Sequence, residues 1–329
     1  MEKKQDNLME ISDLTVRYNT DDAVVHAVNN FNLKLVRGEA RGLVGETGAG
    51  KTTLALSILR LLPARVGEVT GGSIVYDGQE LLNLPEAEML PLRGKRISMI
   101  FQDPMTSLNP TQTVGDQILE VLNLHFPEMT REEKNKRVDE MMTLVGIPPQ
   151  RKKSFPHEFS GGMKQRVVIA MALVAEPELL LADEPTTALD VTIQAQILEL
   201  MKQLREKFNT SVMLITHDLG VVAQFCDSVS VVYAGRVVEY GPVEIVFQRK
   251  ENHPYTAGLF NCIPNLHDDQ PRLHPIAGHM ADPRVEYKGC CFADRCEYAT
   301  ERCRTEAPSM HVCGEHGILC HRYAEKEEF

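Results

Sequence analysis

"GLVGETGAGKTT", residues 42–53, is the stretch from which the rest of the chain can be read. Gly45, Gly50, Lys51 and Thr52 occupy the fixed positions of G-x-x-x-x-G-K-[ST], with Glu46, Thr47, Gly48 and Ala49 between them and Thr53 just after. Glycines at those positions let the backbone curl until successive N–H groups face one anion, and the positive end of the following helix adds to the attraction. Lys51 is placed to reach the β- and γ-phosphates of a nucleoside triphosphate, and the Thr52 hydroxyl suits Mg²⁺. The flanks agree. An apolar strand leads in, and "KTTLALSILRLL" (51–62) has helical spacing that stops at Pro63.

A second element answers the first. "LLLADEP" (179–185) is an apolar strand ending in Asp183 and Glu184. A carboxylate at such a strand end can hold the Mg²⁺ shell, which is the place of Asp183, and the next carboxylate, Glu184, can polarise a water for attack on the γ-phosphate. An acidic pair capping a helix would look the same in isolation; after a matched phosphate loop it is the weaker account.

Working outward, residues 10–45 read as short strands with Gly at the turns, and "GGSIVYDGQELLNL" reads as a hairpin followed by the strand "RISMIFQ". From about 106 to 176 the periodicity is helical: "VGDQILEVLNLHF", "TREEKNKRVDEMMTLVGI" and "SGGMKQRVVIAMALVAEP", the second opening on a capping box of Thr130 and Glu133. Buried strands then alternate with a helix: "ELLLAD", "IQAQILELMKQLREKF", "SVMLITH", and later "VSVVYAG". The expected class is α/β: a mostly parallel sheet with N-terminal antiparallel strands, interrupted by a helical subdomain at about 106–176. The expected division is 1–250 for a nucleotide-binding domain and 251–329 for a small Cys-rich extension that a bound metal could help to fold.

The composition narrows the classes. The chain has 329 residues, is 43% hydrophobic and carries a net charge of −11. That charge argues against nucleic acid as the main partner, since phosphate backbones need a basic face. No apolar run approaches a membrane span, and the polar start, "MEKKQDNLMEISDL", lacks the apolar core of an export signal. Six of the eight cysteines fall between Cys290 and Cys320. A disulfide scaffold belongs to small secreted chains, so the density points to a metal site.

The stretch "FSGGMKQRV" (159–167) resembles the signature sequence of ATP-binding-cassette (ABC) transporter ATPases, a P-loop ATPase fold. The resemblance implies that Ser160, Gly161 and Gly162 cap the γ-phosphate of a nucleotide held by the opposite subunit. It also implies that Tyr18 in "TVRY" stacks on adenine, and that Gln102 in "FQDP" serves the Mg²⁺ site and links it to the helical block. "TALD", ending at Asp190, would cross the dimer interface, and His217 in "ITHD" would contact the γ-phosphate and assist Glu184. The matches cover roughly residues 8–245. Met163 stands where many members have Gln, a departure in the signature half of a composite site.

"HEFSGGMKQRVVIAMAL" and "HPYTAGL" are similar to the ATPases of dipeptide, oligopeptide and nickel importers, and so is the tail pattern G-C-x-F-x-x-R-C of Gly289, Cys290, Phe292, Arg295 and Cys296. By that likeness Cys290, Cys296, Cys303 and Cys320 would hold a [4Fe–4S] cluster. Zn²⁺, with four thiolates or with His311, His316 or His321 replacing one, satisfies the same residues. Whether Cys290 or Cys291 binds is open. The implied partners are a second, non-identical ABC ATPase, two transmembrane permease subunits and an extracytoplasmic solute-binding protein. The chain would sit at the cytoplasmic face of the cell membrane, using ATP and Mg²⁺ to import peptides or a related solute such as nickel chelates. The rival reading is a soluble ABC ATPase with a nucleotide- or metal-sensing regulatory role.

Overall fold

A computed structural model describes residues 6–187, 189–248, 250–263 and 275–324. In chain order, β1 (Asn7–Asn19), β2 (Val24–Val36) and β3 (Ala40–Val44) lead to α1 (Lys51–Ile58), then β4 (Gly67–Tyr76) and β5 (Gln79–Glu80). There follow α2 (Glu86–Met89), β6 (Ile97–Ile100), α3 (Pro104–Ser107), α4 (Val114–His125), α5 (Arg131–Leu144) and α6 (Gly161–Leu173). Next come β7 (Leu179–Asp183), α7 (Val191–Phe208), β8 (Ser211–Thr216), α8 (Leu219–Phe225), β9 (Ser228–Tyr233) and β10 (Arg236–Pro242). The remaining elements are α9 (Val243–Phe247), α10 (Pro254–Asn261), α11 (Glu301–Thr305), β11 (Met310–Cys313) and β12 (His316–Leu319).

The chain forms two compact units. One comprises Met1–Leu8, Leu35–Ala40 and Asn83–Ile215. Its strands run in the order β8-β7-β6, parallel throughout, with Leu179 opposite both Ile97 and Ser211. Every residue of β7 and β8 is buried, which is why both read as apolar runs without alternation. The helices α4, α5 and α6 fall within the expected helical block. Thr130 and Glu133 form the capping box read from the sequence, and Gly146, at φ 74°, closes the other end of α5.

The second unit comprises Met9–Lys34, Arg41–Leu82 and Thr216–Phe329. It holds an antiparallel sheet of order β2-β1-β4-β5 and a mixed sheet of order β11-β12-β10-β9-β3, in which β3 and β9 are parallel. The segment after residue 250 contributes β11 and β12 to this sheet, Glu239 of β10 facing Ile318 of β12.

Two differences from the sequence reading have local causes. Of the three N-terminal strands, β1 and β2 are long, 13 residues each, and only β3, with 5, is short. Asp13 at φ 49° and register shifts around Thr15 bend β1 without ending it. α1 stops at Ile58, four residues before the expected end at Leu62. Arg60 adopts φ 52°, its N–H bonds to Ser57 O, and the Leu61 N–H reaches Leu56 O at 2.8 Å, the hydrogen bonds of a Schellman stop without glycine.

Candidate functional site

The phosphate loop lies between β3 and α1. Gly45 lies so close to β9 that a Cβ there would sit 2.2 Å from Val232 O. Gly50 adopts φ 95°, and its Cβ would meet Ala27 O at 2.1 Å. Both positions therefore require glycine, and Gly48 turns the loop at φ 85°. Gly50 is the N-cap of α1 and has no side chain with which to cap it, leaving the kind of helix start that binds anions. The buried Lys51 ammonium donates to Gly45 O at 2.7 Å and Glu46 O at 3.0 Å, inside the curl. Thr47, Gly48 and Thr52 are exposed, and the loop's far side is tied by Gly235 N–H to Ala49 O. Tyr18 of β1 donates its hydroxyl to Thr53 Oγ1 at 3.2 Å, so this expected adenine-side aromatic stands beside the first turn of α1.

The carboxylate end belongs to β7. Asp183 is 3% exposed at the last position of the strand. Glu184 follows in the left-handed region, φ 46°, with its N–H held by Ile215 O. That turn swings its carboxylate to Gln102, whose Nε2 donates to Oε2 at 3.0 Å, and to the Thr187 hydroxyl, also at 3.0 Å. Gln102 and Glu184, 82 residues apart, are thus brought together. Ala188, in the loop expected to cross the dimer interface, lies outside the described residues; Asp190 beyond it caps α7 by accepting from Ile193 N–H at 3.0 Å.

Ser160 caps α6, its Oγ accepting from Met163 N–H at 3.4 Å. Ser160 and Gly161 are exposed, while a Cβ on Gly162 would press Ile193 Cγ2 at 2.7 Å. The signature therefore presents a helix start outward while packing its third residue against α7. His217, directly after β8, is exposed, so it is not a core histidine.

The tail cysteines converge. Cys290 N–H donates to Cys303 O at 2.7 Å. Burial pushes the Cys290 thiol up to about 12, and Cys291, Cys320 and Cys303 add to the rise. Burial also raises Cys296, with Cys303 contributing, and Cys320, with Cys296 and Cys303 contributing. Cys291 turns elsewhere: it is buried, its Sγ lies 3.9 Å from Tyr233 O, and Arg236 acts on it. Cys290 thus faces Cys291, Cys320 and Cys303, whereas the Cys291 thiol lies against Tyr233 O. No three His, Cys, Asp or Glu side chains among the described residues are arranged to hold a metal ion.

One constellation was not assembled from the sequence. Glu46 of the phosphate loop is gripped by Arg295, Nη1 to Oε2 at 2.7 Å and Nη2 to Oε1 at 3.1 Å. Its backbone N–H donates to the Tyr255 hydroxyl at 3.0 Å. Both partners sit in the tail motifs "HPYTAGL" and G-C-x-F-x-x-R-C, which the sequence offered only as marks of likeness. No helix among the described residues is long and apolar enough to cross a membrane.

Comparison with known proteins extends this picture. Residues 28–187 match the ABC transporter family, and residues 238–303 match the oligopeptide/dipeptide transporter C-terminal region. The oligopeptide transport ATP-binding protein OppD of Haemophilus influenzae is 47% identical over 98% of each chain. OppD of Bacillus subtilis is 48% identical over 98% of this chain and 91% of its own. Among solved structures, the post-hydrolysis dimer of the ATP-binding cassette MJ0796 with ADP and Pi aligns at a TM-score of 0.64. It is 28% identical, covering 71% of this chain and 98% of that one. Clostridium perfringens cbiO1, part of an ABC transporter complex, aligns at 0.65 with 30% identity, covering 75% of this chain and 92% of that one.

Proposed function

This chain belongs to the ABC transporter ATP-binding proteins of the oligopeptide type, and on that footing we propose that it hydrolyses ATP to drive import of peptides across the cytoplasmic membrane. It would do so from the cytoplasmic face, joined to transmembrane permease subunits that receive peptide from a solute-binding protein. Residues 1–250 form the nucleotide-binding domain in this reading and 251–329 its extension. The observation that carries the hydrolytic role is the Glu184 carboxylate, fixed by Gln102 and Thr187 directly after Asp183.

The residues divide the work. The curled N–H groups of Thr47, Gly48 and Gly50–Thr53 at the start of α1 take the phosphates, and Lys51 exchanges its two carbonyls for β/γ oxygens. Tyr18 covers the adenine. Thr52, Asp183 and Gln102 would hold Mg²⁺, which supplies charge neutralisation at the β/γ oxygens. Glu184 draws a proton from water as its oxygen attacks the γ-phosphorus, the bond to the β–γ bridging oxygen breaks, and ADP leaves with that electron pair. His217 steadies the γ-phosphate. Ser160 and Gly161, exposed at the start of α6, with Gly162 behind them, close over a nucleotide held by a second ATPase subunit. Met163 in that signature favours a non-identical second ATPase.

The four converging thiols, Cys290, Cys296, Cys303 and Cys320, fit a [4Fe–4S] cluster in number and chemistry. No three-ligand group among the described residues is arranged for a metal ion, so the cluster reading rests on the number and chemistry of these thiols, which Zn²⁺ would satisfy as well. Such a cluster would staple a tail of little apolar content.

Two measurements test these assignments. Glu184→Gln should bind MgATP within about threefold of the parent chain while hydrolysing at least about 100-fold more slowly. Hydrolysis at the parental rate would remove Glu184 from the mechanism. Protein purified without oxygen should carry about four irons and four acid-labile sulfides per chain; one zinc and no sulfide would replace the cluster by a zinc site.

A further inference from the structure

The phosphate loop contains a carboxylate that its function does not call for. Glu46 lies among N–H groups that must receive several negative charges, and an uncompensated carboxylate there repels them. Two side chains from the distal part of the second unit dispose of this problem. Arg295, 5% exposed, holds both oxygens of Glu46, and the pair keeps the guanidinium well above its ordinary range. Arg295 is itself fixed, its Nε donating to Ala277 O at 3.1 Å and its guanidinium lying over Tyr233 and Phe292. Tyr255, fully buried, takes the Glu46 N–H and so fixes the main chain of the same residue. Its ring is wedged against Tyr233, centroids 4.7 Å apart, and Phe292, 5.5 Å. Pro254 starts α10, and His253 Nδ1 accepts from Tyr255 N–H at 3.1 Å, which orients the tyrosine. Held at both ends, Glu46 offers its carbonyl to Lys51 and to Ala49 N–H from a set position.

We infer that Arg295 and Tyr255 are positioning residues of the phosphate loop: they neutralise Glu46 and hold it aside so that the loop accepts a triphosphate. The inference rests on the nucleotide site assigned above. Arg295 directly precedes Cys296, so the cysteine tail and the nucleotide loop meet in one side chain.

The test is MgATP titration of the full chain. Arg295→Met should weaken binding by at least about tenfold, because it leaves Glu46 charged and unpaired. Glu46→Gln combined with Arg295→Met should return to within about threefold of the parent, since the charge needing compensation is gone. A merely structural arginine would leave the double variant as weak as the single one, and that result overturns the inference. Glu46→Gln alone keeps the guanidinium beside the phosphates and should bind at least as tightly as the parent; weaker binding counts against the proposal. Tyr255→Phe, which removes one hydroxyl, should weaken binding by about threefold or more; parental affinity there overturns the part given to Tyr255. A Lys51→Ala chain that bound MgATP like the parent would overturn the nucleotide site itself, an outcome distinct from the others.

Discussion

Gly50 combines two demands that no other residue meets, a φ of 95° and a Cβ position 2.1 Å from the Ala27 carbonyl. Gly50→Ala must move β2 or unwind the start of α1, so it should cost about 3 kcal/mol and abolish MgATP binding. Thermal unfolding with nucleotide titration checks both, and an alanine variant of parental stability and affinity would refute the account. This constraint is visible in the sequence because the motif's spacing is local: glycine, lysine and threonine announce the loop within a dozen residues. Glu184 was legible from the strand end it follows, but Gln102, 82 residues away, only through family resemblance. The Arg295–Glu46 pair, separated by 249 residues, left no local trace, although each residue belongs to a recognisable motif. Arg60 at φ 52° was equally hidden, since arginine carries no mark of a left-handed turn.

Among the elements, α10 owes its start to a histidine. His253 is 1% exposed, and burial lowers its pKa from 6.5 to about 3. Its ring is neutral because Nδ1 must accept the Tyr255 N–H, while Glu239 takes its own backbone N–H at 2.8 Å. The unfolded chain protonates this imidazole below about pH 6.5 and the fold does not until about pH 3. Stability therefore falls as pH drops through that window, by up to about 1.4 kcal/mol per pH unit. His253→Asn keeps an acceptor at the cap and removes the titration, so denaturant midpoints should fall less steeply between pH 6.5 and 4. An unchanged pH slope would exclude His253 as the source. Elements with ten or more periodic residues, such as α4, α5 and α7, were readable in advance. β11 and β12 were not, because four residues each, "MHVC" and "HGIL", are too few to establish an alternation.

For the whole molecule, the sequence conveyed the class of fold and the separate helical block, but not how the chain is shared out. The second unit is assembled from three stretches, and about a quarter of the way along the chain, after Leu82, the path leaves it and returns only at Thr216. Hydrophobic pattern reports the faces of single elements and is silent about which distant element will cover them. The cysteines follow the same rule: their density was plain in the sequence, while the packing of Cys291 against Tyr233 was not.

That interleaving sets a schedule for synthesis. β3 pairs with β9 through partners such as Arg41 and Ser228, and a ribosome adding about 5–20 residues per second needs about 10 to 40 s to cover the roughly 190 residues between them. Tyr255 and Arg295 emerge later still. Throughout that interval the nascent loop has neither the strand that flanks it nor the two side chains that hold Glu46. A partly made chain is therefore unready to grip ATP, and the order of translation itself keeps hydrolysis from running ahead of a finished subunit.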